Sequence, residues 1–485
     1  MSRHQRACQT DLVAQDRLKR RSLARVLSLA IASVSLLGFE AVALEINEDG
    51  TPLGDWYEEA ILLRADGAII DTASDTPSRS GVWFEEDKNG HAGPTFHDYD
   101  GDGLEDLIIG GSAGRFRLYL NEGEPGAPVF SGYEWIEAAG ETAIVRNWCC
   151  VAAGPSFADI DGDGHADLTA GSYSPGLIYW FQGQDGGFRA RQSLTDWGGL
   201  DVITRLNEVD EGPHLAYAAK PAWLDWDDDG RLDLIIGNAQ GDLVVRRNHG
   251  PAHQPGITPV EGQPVFATFS WGGSHQLDVF EVVEGGAGPM QDEEYLVPAV
   301  GDWDGDGHPD LIVGTQSGAV YFLRNLGGEE IAFAAPERLL PSVRGGEHIP
   351  AHVVRPGQYS PVRGSRASVA LTDYNGDGVL DLVVGDWSRS LTLKSGLSDA
   401  ELEAFEALQD ELVALDRRAG VEGPDEPFRD RFRSTFVYFD NEDLREEMQA
   451  LEQRLGQFLE PVDSTRLQML RGYERQHGHV WVYVR

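Results

Sequence analysis

Five segments of this sequence carry carboxylates at one fixed spacing. They read DYDGDGLEDLIIG at 98–110, DIDGDGHADLTAG at 159–171, DWDDDGRLDLIIG at 225–237, DWDGDGHPDLIVG at 302–314 and DYNGDGVLDLVVG at 373–385. Positions 1, 3, 5 and 9 are aspartate in every copy but one. They are Asp98, Asp100, Asp102 and Asp106, then Asp159, Asp161, Asp163 and Asp167, then Asp225, Asp227, Asp229 and Asp233. The fourth set is Asp302, Asp304, Asp306 and Asp310, and the fifth is Asp373, Asn375, Asp377 and Asp381. A tight loop turns alternate side chains onto one centre. Carboxylates that close raise one another's pKa unless a cation sits among them. Calcium wants about six to eight oxygens. Three monodentate side chains, the main-chain carbonyl of position 7 and a bidentate position 9 supply six, and water can fill a seventh place. Position 6 is always glycine (Gly103, Gly164, Gly230, Gly307, Gly378), as a bend with positive φ requires. The expected cofactor is therefore structural Ca2+, up to five ions. Magnesium fits less well because it gives up its waters reluctantly.

The elements that must hold these loops are strands. An EF-hand would need Glu at position 12 and a helix on either side. Position 12 here is Ile109, Ala170, Ile236, Val313 or Val384, at the end of a short run such as Leu107-Ile108-Ile109. Isolated Asp-Gly pairs make ordinary polar turns, but five copies in one register, 61 to 77 residues apart, ask for more. Each loop is followed by the same layout: an apolar run, a turn such as GTQSG, a second apolar run such as Val320–Leu323, and later a third, such as Pro128-Val129-Phe130. Four short strands per unit, repeated, predict an all-β chain whose units are the blades of a β-propeller. Five blades are expected. Ala60–Leu63 and Ala68–Ile70 are N-terminal strands, and Val480–Val484 is a strand of the last blade, so that the two ends close the ring.

These residues resemble the FG-GAP or VCBS repeat family, the integrin-α-like propellers with calcium loops. The resemblance covers about residues 90–395 and implies the fold and the calcium sites. The Gly-Pro pairs Gly93-Pro94 and Gly154-Pro155 precede two loops without a regular FG and GAP frame. An integrin's ligand and partner are therefore not carried across.

Around the repeats the expected organisation is a signal peptide at 1–43, a propeller at 44–397, a helical insertion at 398–473 and a closing strand at 474–485. The signal rests on a basic patch (Arg17, Lys19, Arg20, Arg21, Arg25), an apolar run at 26–39 and the small-residue pattern Ala41-Val42-Ala43. That run is short for a bilayer, so a secreted, periplasmic or cell-surface protein is expected. The insertion opens on a capping box, Ser398 to Glu401. Leu402, Phe405, Leu408, Leu412 and Leu415 then recur at helical spacing. A second helix is expected over Leu444, Met448, Leu451, Leu455 and Phe458, and a short third over Leu467, Leu470 and Tyr473. The helices either form a hairpin on the propeller flank, cap one mouth or dock a partner.

Asp and Glu number 80 against 39 Lys and Arg, for a net charge of −41. That excludes nucleic acid as the main partner and argues against anionic lipid. Cys149 and Cys150 are adjacent and serve equally as free thiols or a vicinal disulfide. No catalytic residue emerges. Gly110-Gly111-Ser112-Ala113-Gly114 satisfies G-x-S-x-G, but it lies where other units place a turn between strands, and a nucleophile elbow needs a helix after it. His477 and His479 precede the last strand and read as no more than weak metal ligands. Trp56, Trp83, Trp135, Trp197, Trp271 and Trp387 fill blade interfaces or line a sugar-binding surface. The function expected is a binding or scaffold module for an extracellular glycan or protein. A polysaccharide lyase or glycoside hydrolase on the same fold is the alternative.

Overall fold

Each acidic loop is the turn of an antiparallel hairpin in the computed structural model of the protein. Gly93–His97 pairs with Asp106–Gly110, Ser156–Ala158 with Asp167–Gly171, and Pro221–Leu224 with Asp233–Gly237. Val297–Gly301 pairs with Asp310–Gly314, and Ser365–Thr372 with Asp381–Thr392. The structure describes residues 56–73, 90–145, 154–194, 220–246, 275–277, 290–343, 351–420, 441–462 and 470–485, with short interruptions inside some of these ranges. The expected signal segment, Cys149 and Cys150 lie outside them.

In the first four units a third strand (Phe116–Tyr119, Ile178–Phe181, Leu243–Arg246, Val320–Leu323) pairs with the strand after the loop. A fourth (Glu134–Trp135, Gln192–Ser193, His275–Leu277, Glu337–Leu340) completes each antiparallel sheet. The strand after the loop is buried along its length in these units. That is why it reads as an unbroken apolar run rather than an alternating one. The G-x-S-x-G stretch is the turn between two such strands, closed by Gly111 N–H donating to the Arg115 carbonyl (3.1 Å). It carries no elbow.

The fifth sheet is assembled from distant segments. Val480–Val484 takes the third place against Asp381–Thr392, and Glu59–Leu62 takes the fourth against Val480–Val484. Asp381–Thr392 runs past the sheet, and its second half pairs with Glu474–His477 and, in parallel, with His352–Val354. One small feature has no counterpart in the sequence reading, a sheet of two-residue strands from 137–142 and 183–188. The expected strand Ala68–Ile70 is present as Ala68–Ile69, paired with Arg64–Ala65 in a hairpin, and only Ile70 falls outside it.

Successive sheets pack face to face. Ile108, Phe116 and Leu118 meet Leu168, Tyr179 and Phe181, while Ile178 and Trp180 meet Leu234 and Ile236. Ile235 and Leu243 meet Leu311, Val313 and Tyr321. The fourth sheet meets the fifth through Ala367 N–H donating to the Thr315 carbonyl (2.9 Å). The fifth sheet in turn packs on the first, with Ala370, Val383 and Val482 against Leu107, Ile109 and Tyr119. The glycine at position 13 of the motif makes these approaches possible. A Cβ on Gly237 would lie 1.9 Å from the Leu296 carbonyl oxygen, one on Gly314 2.3 Å from that of Ala367, and one on Gly385 2.1 Å from that of Ala92. The same device thus seats the third sheet on the fourth, the fourth on the fifth and the fifth on the first.

Lys220 ties three leading strands together. It immediately precedes the third sheet, and its buried Nζ donates to the Pro94 carbonyl (3.0 Å) of the first sheet and the Val369 carbonyl (2.8 Å) of the fifth. Burial lowers its pKa to about 7. A lysine that loses its proton more readily folded than unfolded makes stability rise with pH between those two values. Urea melts of the protein should therefore show stability climbing from pH 7 toward 10, by up to about 1.4 kcal/mol per unit. Lys220→Met should flatten that slope.

Among the described residues there are two α-helices, α1 (Asp399–Ala419) and α2 (Glu442–Gly456). Ser398 and Glu401 form the expected capping box, and Gly420 ends α1 in the left-handed conformation. Phe405, Leu408, Leu412 and Leu415 of α1 pack with Met448, Leu451 and Leu455 of α2 over Ala351, Leu391 and Leu393. The helices thus form a hairpin on the far half of the long strand. Of the third expected helix, only a single 3-10 turn, Leu470–Gly472, falls among the described residues, and Leu467 lies outside them. Leu412→Ala should cost about 2–5 kcal/mol and strip amide-exchange protection from both helices before it reaches the sheets. No helix of the described residues is long and apolar enough to cross a membrane.

Candidate metal centres

The first side chain of each loop shapes the bend. The N–H of the position 6 glycine donates to the position 1 carboxylate in all five copies: Gly103 to Asp98 (3.1 Å), Gly164 to Asp159 (3.0 Å), Gly230 to Asp225 (2.8 Å), Gly307 to Asp302 (3.0 Å) and Gly378 to Asp373 (2.9 Å). These glycines have φ between 82° and 92°, which other residues adopt only under strain. Asp100 and Asp102 accept from the N–H groups two residues on, as do their counterparts in other copies. Asp227 and Asp229 lie outside the described residues.

The ninth side chain has a second task. Asp106 accepts from Tyr99 N–H (2.9 Å) with one oxygen and from Asn121 N–H (2.7 Å) with the other. Asp167 does the same with Ile160 (3.0 Å) and Gly183 (2.7 Å), and Asp310 with Trp303 (3.0 Å) and Asn325 (2.8 Å). Asp381 takes Tyr374 (3.0 Å) and Arg485 (2.8 Å), and Asp233 takes Trp226 (3.1 Å). In the first, second, fourth and fifth units a buried carboxylate therefore welds the loop to the end of a neighbouring strand. Each of its oxygens keeps a second lone pair for a cation.

Sequence reasoning missed the strand-end partners. Asn121 and Asn325 also donate from their side chains to the carbonyls of Glu105 (3.2 Å) and Pro309 (3.0 Å). The available signal was an asparagine fifteen residues after position 9, which recurs at Asn248. Arg485 fills the same place in the fifth unit and lays its guanidinium 3.9 Å from the Trp303 ring centroid.

Ligand oxygens converge within 4.8 Å in Asp98, Asp100 and Asp106, in Asp159, Asp161 and Asp167, and in Asp302, Asp304 and Asp306. Burial, reinforced by neighbouring carboxylates, raises the pKa of Asp106 and Asp161, takes Asp310 to about 6 and Asp167 to about 8. In the second loop Asp159 Oδ1 is buried with no hydrogen-bond partner. The copies are not equal. Gln182 donates to Asp161 Oδ2 (2.6 Å), Arg324 pairs with Asp304 Oδ2 (2.8 Å), and Asn375 turns its amide N–H onto Asp377 (3.0 Å).

Residues 98–170 and 302–384 match the family model of the FG-GAP-like repeat. The chain carries FG-GAP-like repeats in these two segments. The matched FG-GAP segments hold the first and second loops and the fourth and fifth. No curated protein sequence matches the chain. Among solved structures it is similar to a Photorhabdus luminescens Tc holotoxin pore, at 15% identity and TM-score 0.28 over 70% of this chain and 15% of that one. It is also similar to BBS1N in complex with ARL6DN (12%, TM-score 0.27, 60% of this chain and 75% of that one). A third is the rhamnogalacturonan lyase YesW (14%, TM-score 0.24, 59% and 50%). The chain thus spans about 15% of the length of the first of these, and no activity is carried over.

The tryptophans expected to serve either interfaces or sugars divide. Trp56 packs on Trp303 and Phe322, and Trp387 is buried beneath Arg366. Trp135 stands beside Tyr133, which is 43% exposed, with the Arg117 guanidinium between them at about 5 Å from both rings. Trp83, Trp197 and Trp271 lie outside the described residues.

Proposed function

We propose that the protein is an exported, calcium-stabilised five-bladed β-propeller that binds an extracellular glycan or protein. The observation that carries the reading is the repeated loop. In every copy, main-chain N–H groups orient the carboxylates of positions 1 and 9, and in three copies the ligand oxygens already face one another. The donor set fits the ion. Burial and like charge hold these carboxylates against ionisation, Asp159 Oδ1 is buried and unpartnered, and every donor is a hard oxygen. Positions 1, 3, 5 and 9 and the position 7 carbonyl would hold Ca2+, which supplies the missing positive charge. Ring closure is supported by the packing of the fifth sheet on the first and by the common seating of Gly237, Gly314 and Gly385. The reach of Lys220 to two other leading strands supports it as well.

Since the ligands must be deprotonated to bind, affinity is proton-coupled. Calorimetric titration should find calcium bound more tightly at pH 8 than at pH 5.5, with proton release largest at the second loop, where Asp167 has the highest pKa. Equal affinity at both pH values would argue against the loops as the site. For the ligand, the exposed Tyr133, beside the half-buried Trp135, offers an aromatic ring of the kind against which a sugar packs. A glycan array probed with the calcium-loaded protein tests this. Binding lost in Tyr133→Ala and on chelation supports the reading, and an array with no binder turns it toward a protein ligand.

A further inference from the structure

The acidic loops offer only oxygen. A different donor set lies where the segment after the Arg64–Ile69 hairpin meets the strand leading into Val480–Val484. His477 Nδ1 is 2.7 Å from Asp71 Oδ2, and the other Asp71 oxygen accepts from Gly478 N–H (3.1 Å) and Ala73 N–H (3.0 Å). His479, two residues on in the link between the strands Glu474–His477 and Val480–Val484, stacks its ring on that of His477, with centroids 5.5 Å apart and planes 16° apart. One ligand atom from each of Asp71, His477 and His479 falls within 4.8 Å of the others. The two imidazoles are 4% and 0% exposed, while Asp71 is 27% exposed and leaves the cluster reachable from solvent.

The surroundings fix these groups. His477 Nε2 faces Ser390 Oγ at 2.8 Å, and His479 Nδ1 lies 3.5 Å from Asp386 Oδ1. Second-sphere partners of this kind set the tautomer and the plane of a metal-binding imidazole. With Nε2–H donated to Ser390, Nδ1 of His477 presents a lone pair to the cluster once the proton it shares with Asp71 has left. The backbone between the two histidines cannot move away, because Gly478 is so tightly enclosed that a Cβ there would lie 2.2 Å from Thr72 Oγ1.

We propose that Asp71, His477 and His479 bind one divalent transition ion of the zinc class, at a centre separate from the calcium loops. Two imidazoles and one carboxylate suit zinc or cobalt, whereas calcium selects oxygen. Binding replaces the proton shared between His477 and Asp71, which leaves to solvent. The bound ion joins segments 406 residues apart in sequence, and so fastens the N-terminal hairpin to the strand that completes the fifth sheet.

The test uses the full chain in millimolar calcium, which saturates the loops, titrated with Co2+ as the optical probe. The proposal expects one Co2+ per chain, a visible absorption band of a nitrogen-ligated site, and its loss on adding equimolar Zn2+. Asp71→Asn should weaken Co2+ by about 10-fold or more while leaving the calcium-dependent melt as it was. His477→Gln should remove the band. A wild-type protein that shows no band and retains no Co2+ at about 100 µM would overturn the proposal, whatever the variants do. So would a bound ion indifferent to both substitutions.

Discussion

Stripping calcium from the purified protein with excess chelator is expected to lower its melting temperature by on the order of 10 °C. A site holding its ion at ten times Kd adds about 1.4 kcal/mol, and five independent sites would add about 7 kcal/mol. That is comparable with the whole net stability of a typical domain, about 5–15 kcal/mol. The mechanism is specific to these loops. The carboxylates of positions 1 and 9 are held in place by main-chain N–H groups of the loop and of the neighbouring strand. The ion-free protein therefore retains the repulsion rather than relaxing it. The loss should be smaller at pH 5 than at pH 8. Carboxylates such as Asp167 and Asp310, whose folded pKa lies above the ordinary value, favour folding at low pH and oppose it as they ionise. A scan unmoved by chelator at pH 8 would remove calcium from the account of stability. Within the set, the fourth site should bind least tightly, because Arg324 already neutralises Asp304. Arg324→Gln should tighten it.

The largest single-residue loss is expected at Asp386, which follows the fifth repeat and belongs to none of the loops. Its buried carboxylate accepts from Gly364 N–H (2.7 Å), His479 N–H (2.9 Å) and Trp481 Nε1–H (2.9 Å). Burial alone would raise its pKa, but the hydrogen bonds and charge of His479 outweigh that and hold it low. His479 is held above its ordinary value in return. Asp386→Ala would leave three buried donors and a buried imidazole without their acceptor, a loss of roughly 4–6 kcal/mol. Asp386→Asn keeps the shape but loses the charge and should fall between the two. Urea denaturation read by tryptophan fluorescence checks both. An alanine variant within about 1 kcal/mol of wild type would show that water replaces these bonds at no cost.

The parts of the fold legible in the sequence are those encoded locally and repeated. The strand after each loop could be read because burial on both faces makes it uniformly apolar. The start of α1 could be read because Ser398 and Glu401 satisfy each other's backbone within four residues. Val480–Val484 was legible because it repeats the pattern of Val320–Leu323. The hold of position 9 on the end of a neighbouring strand has only a faint signature, the asparagine that recurs fifteen residues on at Asn121, Asn248 and Asn325. The second half of Asp381–Thr392 was illegible for a related reason. Ser388, Arg389 and Ser390 look like a loop, yet they are buried in a strand because Glu474–His477 and His352–Val354 flank them. The Asp71–His477 contact joins residues that no spacing rule connects. Two-residue strands such as Glu137–Ala138 are too short to carry any periodicity.

That the fifth sheet needs Glu59–Leu62 beside Val480–Val484 bears on how the molecule is made. A nascent chain can complete its first four sheets in turn as they emerge, but it must hold an unpaired edge until Val480–Val484 has been synthesised. Such a topology delays final locking and lengthens the interval in which a bare strand can capture a neighbour.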